Sequence, residues 1–167
     1  MLYVKAKHNT GRFSMSNVFL EILSETNDIL DRDHFNHWRY NLASGNCGYI
    51  AIAMSKLLQK LDQDHFIRLY SCNIFDRNFT TWDECKDSDL SGDHLICIHK
   101  DVWLDFTLNQ PSRKELVFVW NYQCLDIKDR NMDSLRDFCD ANTTPWIGYD
   151  KIEKIIFDVA RQKGLIS

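Results

Sequence analysis

The chain has 167 residues, 44% of them hydrophobic and 26% charged, with two prolines and six glycines. That composition excludes a disordered or fibrous chain, and the length suits one domain over residues 1–167. Its 20 basic and 24 acidic residues leave a net charge of −4, which argues against a nucleic-acid backbone as partner.

No apolar run approaches the roughly 18 residues that a membrane span requires, so no membrane partner is expected. Met1-Leu2-Tyr3-Val4-Lys5 is not the uninterrupted apolar stretch of a secretory signal. The expected location is the cytoplasm, or a host cytosol for a delivered effector. Cys47, Cys72, Cys85, Cys97, Cys124 and Cys139 are widely spread, and no two form Cys-x-x-Cys. The best zinc set, Cys72, Cys85, Cys97 and His99, matches no standard ligand spacing, so no metal is expected. Most of these cysteines read as reduced, small core residues. No glycine-rich phosphate loop accompanies Gly45 and Gly48, and no cofactor is expected.

In chain order, Val18, Phe19, Ile22 and Leu23, continued by Ile29 and Leu30, predict a first amphipathic helix. The aromatic stretch from His34 to Tyr40 follows; His34 and His37 read as a solvated helix end rather than a metal pair. Ala43-Ser44-Gly45-Asn46 is suited to a turn and a helix start. Ile50, Met54, Leu57, Leu58 and Leu61 then form one continuous helical face, with Cys47 in the first turn. Alternating segments predict strands over Phe66–Tyr70, His94–His99, Val102–Thr107 and Leu116–Tyr122. The acid-rich connection from Asn73 to Gly92 reads as a long loop, either a solvated surface or a lid or rim, which as a rim would favour basic substrate surroundings. A helix is expected from Asp133 through Leu135, Phe138 and Cys139. Another begins at Asp150, whose pairing with Glu153 would make an acidic capping box, and stops at Gly164. Helices, then strands, then helices predict an α+β fold with a mostly antiparallel sheet. Trp82, Trp120 and Trp146 read as core or edge anchors.

Cys47 carries the chemical interest. At a helix N-terminus a cysteine meets unpaired N–H groups and the positive end of the helix dipole, and both favour the nucleophilic thiolate form. The same N–H groups suit an oxyanion on an attacked carbonyl, and Gly48 beside it leaves room for a substrate. Downstream, residues 93–99 and 102–107 read as a hairpin closed at Lys100-Asp101. With His99 opposite Val102, Ile98 faces Trp103 and Ile96 faces Asp105, and alternation puts His94, Trp103 and Asp105 on one side. His94 and Asp105 become diagonal neighbours with Cα atoms roughly 7–8 Å apart, within reach of a side-chain hydrogen bond. Asp105 lies between Leu104 and Phe106, where a buried charge wants a partner. His99 falls on the opposite face and reads as structural or exposed.

Gly45-Asn46-Cys47-Gly48 opening an apolar helix, His94 starting a strand, and Trp103-Leu104-Asp105-Phe106-Thr107 together resemble the transglutaminase-like and papain-like thiol hydrolases. The resemblance covers Ser44 to Gln110 and lacks the Cys-Gly-Ser-Cys-Trp run of papain itself. It implies a papain-like core with the nucleophile-bearing helix packed on the sheet, Cys47 as nucleophile, His94 as base and Asp105 as its orienting group. It also implies an amide donor upstream of the cysteine, for which Asn41 is the candidate, with the Trp38 indole N–H nearby. Gln110 is a further amide candidate, and Trp103 and Gly48 are candidate substrate contacts.

The expected activity is hydrolysis of an amide through a thioester on a protein or peptide substrate, by peptide-bond cleavage or glutamine side-chain deamidation. Transglutaminase-type transfer to an amine and a non-catalytic protein-binding module on the same fold are the alternatives. Oligomeric state is not legible.

Overall fold

The computed structural model describes residues 15–33, 46–71, 81–85, 94–105, 123–128, 132–142 and 147–167. Helix α1 spans Met15–Asp33 and α2 spans Asn46–Lys60. Strand β1 is His65–Ser71, followed by the single-turn helix α3, Trp82–Cys85. Next come β2, His94–His99, β3, Val102–Leu104, and β4, Gln123–Ile127, before α4, Asp133–Asn142, and α5, Tyr149–Gln162. The strands form one sheet in the order β3-β2-β1-β4, and every pairing is antiparallel. This is the mixed helix and antiparallel-sheet architecture that the patterning predicts. None of these helices is long and apolar enough to cross a membrane.

The central element is α2. It packs against β1, β2, α4 and α5, and is therefore buried on more than the one face expected for it. Ala51, Ala53 and Ser55, on its other faces, are all buried; their small side chains let neighbouring elements approach closely. Phe19, Ile22 and Leu23 of α1 and Ile152, Ile156 and Val159 of α5 complete the core around it.

Side chains of β2 divide between the two sheet faces. Leu95 and Cys97 join the principal core, whereas Ile96 and Ile98 form a second cluster with Tyr70, Phe66 and Trp103. His99, on the inner face, is fully buried. Its Nδ1 lies 3.0 Å from Ser16 Oγ and the Phe19 ring meets it edge-on, fixing α1 to the sheet. Ser55 Oγ similarly joins α2 to β1 through His65 Nε2 at 2.8 Å.

Gly164 ends α5 as expected: at φ +71° its N–H reaches Arg161 O (2.9 Å), while Leu165 N–H reaches Ala160 O (3.0 Å). Asp62 gives α2 the same ending at φ +52°, without glycine's freedom there.

Three expectations need correction. Helix α5 begins at Tyr149 behind Gly148, so Asp150 and Glu153 form no capping box. Asp150 instead faces Arg136 (3.4 Å), and Glu153 accepts the Tyr149 hydroxyl (2.9 Å). Strand β4 was not anticipated; the strand expected at Leu116–Tyr122 lies outside the described residues. The connection expected to be irregular from Asn73 to Gly92 contains α3. There Trp82 is buried as an anchor, with its indole N–H donating to Ser134 Oγ at 3.0 Å.

Candidate active site

The hairpin register is the one the sequence predicts: His99 pairs with Val102, Ile98 with Trp103 and Cys97 with Leu104. Lys100 makes the tight turn by adopting φ +55°. One further step puts Asp105 opposite Ile96 and diagonal to His94. The diagonal contact is made: His94 Nε2 lies 2.7 Å from Asp105 Oδ2. Both residues are buried, at 6% and 9% exposure. A carboxylate in such a place requires a partner, and the imidazole N–H supplies it.

Cys47 reaches the same spot from the helical layer. It is the second residue of α2, where first-turn N–H groups have no intrahelical acceptor. Gly48 brings that turn against the beginning of β2: a Cβ at position 48 would stand 3.1 Å from Leu95 Cδ1 and 2.4 Å from Cys139 Sγ. The Cys47 thiol hydrogen-bonds the His94 imidazole, and the two also interact electrostatically. Nε2 is engaged by Asp105, so Nδ1 is the nitrogen left for the sulfur. Burial acts to lower the His94 pKa, but the hydrogen bonds to Asp105 and Cys47 outweigh it and raise the pKa from 6.5 to about 10. Cys47 itself is only partly buried, so an incoming group can reach it.

The expectation that Gly48 leaves room for substrate is corrected by this packing. The space beside its Cα is filled by Cys139 and Leu95, and Gly48 is needed for close approach inside the protein. Trp103 shares the His94 face, but it lies about 7 Å along the strand from Asp105, half-buried against Tyr70. Trp38, Asn41 and Gln110 fall outside the described residues, as do His34, His37, Phe106 and Thr107.

Sequence reasoning missed the contribution of α4. Cys139 lies against Gly48, and the next residue, Asp140, accepts a hydrogen bond from the Tyr49 hydroxyl. Burial and that carboxylate push the Tyr49 hydroxyl pKa upward. Two successive residues of α4 thus hold the first turn of α2. The glycine after Cys47 was the available signal, because it implies close packing without naming a partner 91 positions away. Asn46 was also missed. It is fully buried, and neither atom of its amide has a hydrogen-bond partner among the described residues.

Among the described residues, no three His, Cys, Asp or Glu side chains gather as a metal site would require. The arrangement instead offers a thiol, a nitrogen base within reach of it, and a carboxylate that orients the base. Compared with known proteins, the chain matches no family model, no curated protein and no solved structure.

Proposed function

We propose that this chain is a thiol amide hydrolase with a papain-like or transglutaminase-like core, acting through a thioester on a protein or peptide substrate. The observation that carries the reading is the convergence of Cys47, His94 and Asp105, drawn from a helix start and a hairpin. A buried Asp–His pair can arise for packing reasons alone. One whose imidazole also meets a partly accessible thiol at a helix N-terminus suits nucleophilic catalysis better.

In this mechanism His94, held protonated at neutral pH by its bonds to Asp105 and Cys47, stands beside the Cys47 sulfur as that sulfur attacks the amide carbonyl. First-turn N–H groups of α2 receive the developing oxyanion. Collapse expels the amine, which takes the proton from His94 and leaves an acyl thioester on Cys47. Water then gives a proton to His94 and attacks the thioester, the sulfur departs, and the carboxylic acid is released with the proton left on His94. Asp105 holds the ring and stabilises its charged form throughout. A peptide bond and a glutamine side chain enter by the same chemistry. The cytosol is the proposed setting, since the nucleophile works only as a reduced thiol.

The test is labelling of the intact protein with a thiol-reactive amide mimic, followed by peptide mapping. Selective labelling at Cys47 that disappears in His94→Ala is expected. Equal labelling of accessible thiols, unaffected by His94→Ala, would overturn the proposal. Adding a primary amine to a substrate assay separates hydrolysis from acyl transfer.

A further inference from the structure

The site described above leaves Cys139 without a role in the chemistry. Its Sγ is the heavy atom nearest to where a side chain at Gly48 would project, at 2.4 Å, and its Cβ follows at 3.5 Å. Consecutive Cα atoms are about 3.8 Å apart, so the Cys139 sulfur lies within about 8 Å of the Cys47 Cα. No side chain at 48 stands between them. The two sulfurs also interact electrostatically, and burial pushes the Cys139 thiol upward, keeping it protonated and unreactive towards solvent. One thiol is therefore reachable and paired with a base, and the second is sheltered beside it.

Resting on the reading of Cys47 as nucleophile, we infer that Cys47 and Cys139 form a reversible disulfide when the protein meets a hydroperoxide, protecting the nucleophile from irreversible oxidation. The Cys47 sulfur attacks the terminal peroxide oxygen and the O–O bond breaks. The alkoxide or hydroxide leaves with the proton held by His94, and Cys47 becomes a sulfenic acid. The Cys139 thiol then attacks that sulfur; the S–O bond breaks and the hydroxide departs as water with the Cys139 proton. Two electrons pass from the two thiols to one peroxide. A dithiol reductant reverses the step. The crosslink requires the two sulfurs at about 2 Å, an approach that rotation of both side chains and movement of the α2 start would have to supply.

The experiment treats the full chain with hydrogen peroxide and maps peptides without reduction. The expected product is a Cys47–Cys139 crosslink that has lost two hydrogens, with loss of Cys47 probe labelling that dithiothreitol restores. In Cys139→Ala, and in the closer mimic Cys139→Ser, the same treatment should add two oxygens to Cys47, and dithiothreitol should not restore labelling. Sulfinic acid at Cys47 in the unaltered protein, at the rate seen in the variants, would overturn the inference. So would a crosslink from Cys47 to another cysteine. Failure of this inference is separable from failure of the hydrolase reading. An absent crosslink with His94-dependent labelling intact removes only the redox step, whereas a crosslink without amide hydrolysis removes only the enzyme.

Discussion

Gly48→Ala probes how the start of α2, which carries Cys47, is held. The added methyl group would stand 2.4 Å from Cys139 Sγ and 3.1 Å from Leu95 Cδ1, against the ordinary separation of about 3.5–4.0 Å. Both neighbours are buried, so neither can swing into solvent. Overpacking of this kind costs about 1–3 kcal/mol. The better helix propensity of alanine offsets at most about 1 kcal/mol. A net loss of about 1–2 kcal/mol should lower the melting temperature by roughly 2–8 °C in a chain of this length. Removing the sulfur tests the cause: in a Cys139→Ala background the methyl group meets only Leu95 closely, and most of the loss should vanish. Thermal unfolding of the four proteins in the cycle, followed by circular dichroism, should give a coupling of about 1–2 kcal/mol. Cys47 labelling should slow in Gly48→Ala and recover in the double variant. A Gly48→Ala protein as stable as the parent, or one equally destabilised in both backgrounds, would refute the packing argument.

Stability should peak near neutral pH. His94 has a raised pKa in the folded protein, so its contribution is complete below about pH 6.5 and disappears as pH rises through about 10. Cys97 and Cys139, whose thiols burial pushes upward, steepen the same alkaline loss. Burial lowers the His99 pKa, so its contribution is complete above about pH 6.5 and declines below it. Urea unfolding across pH should show both limbs, the alkaline one flattened in His94→Gln and the acid one in His99→Phe; unchanged limbs would contradict these assignments. Asp105→Asn should slow Cys47 labelling by about 100-fold, the scale of lost general-base function, and an unchanged rate would remove Asp105 from the proposed mechanism. Asp62→Gly relieves a left-handed residue at the end of α2 and should stabilise by about 1 kcal/mol in chemical denaturation. Asn46→Leu removes two buried polar atoms that have no partner among the described residues, and should raise stability by about 1 kcal/mol in thermal unfolding. A fall would show that the amide is satisfied in the working protein.

The parts legible in the sequence were those set by local periodicity. Alternation from His94 to Asp105 and the two-residue turn fixed the hairpin register, because a slip of one position would have turned His94 and Asp105 to opposite faces. The spacing of Ile50, Met54, Leu57 and Leu58 located α2, and Gly164 marked the end of α5. What escaped depended on partners distant in sequence. Gln123–Ile127 is short, with Cys124 and Asp126 exposed and Leu125 and Ile127 buried, a brief alternation that gains meaning when β1 pairs with it. The capping box at Asp150 failed because the helix starts one residue earlier, at Tyr149 behind Gly148, which puts Asp150 inside its first turn. Gly48 was recognised as special for the wrong reason, since nothing within its own helix announces Cys139.

The imidazole and its carboxylate belong to one hairpin and lie 11 positions apart, whereas the sulfur arrives on a separate helix. Closing the short loop requires little loss of chain freedom; seating the helix requires long-range contacts with sheet and neighbouring helices. A nascent or partly opened chain that keeps its hairpin but lacks the docked helix has a bonded histidine and no activated thiol. In the proposed mechanism reactivity is thereby tied to completion of the fold, and partial unfolding should lower Cys47 labelling before it disturbs the His94–Asp105 pair.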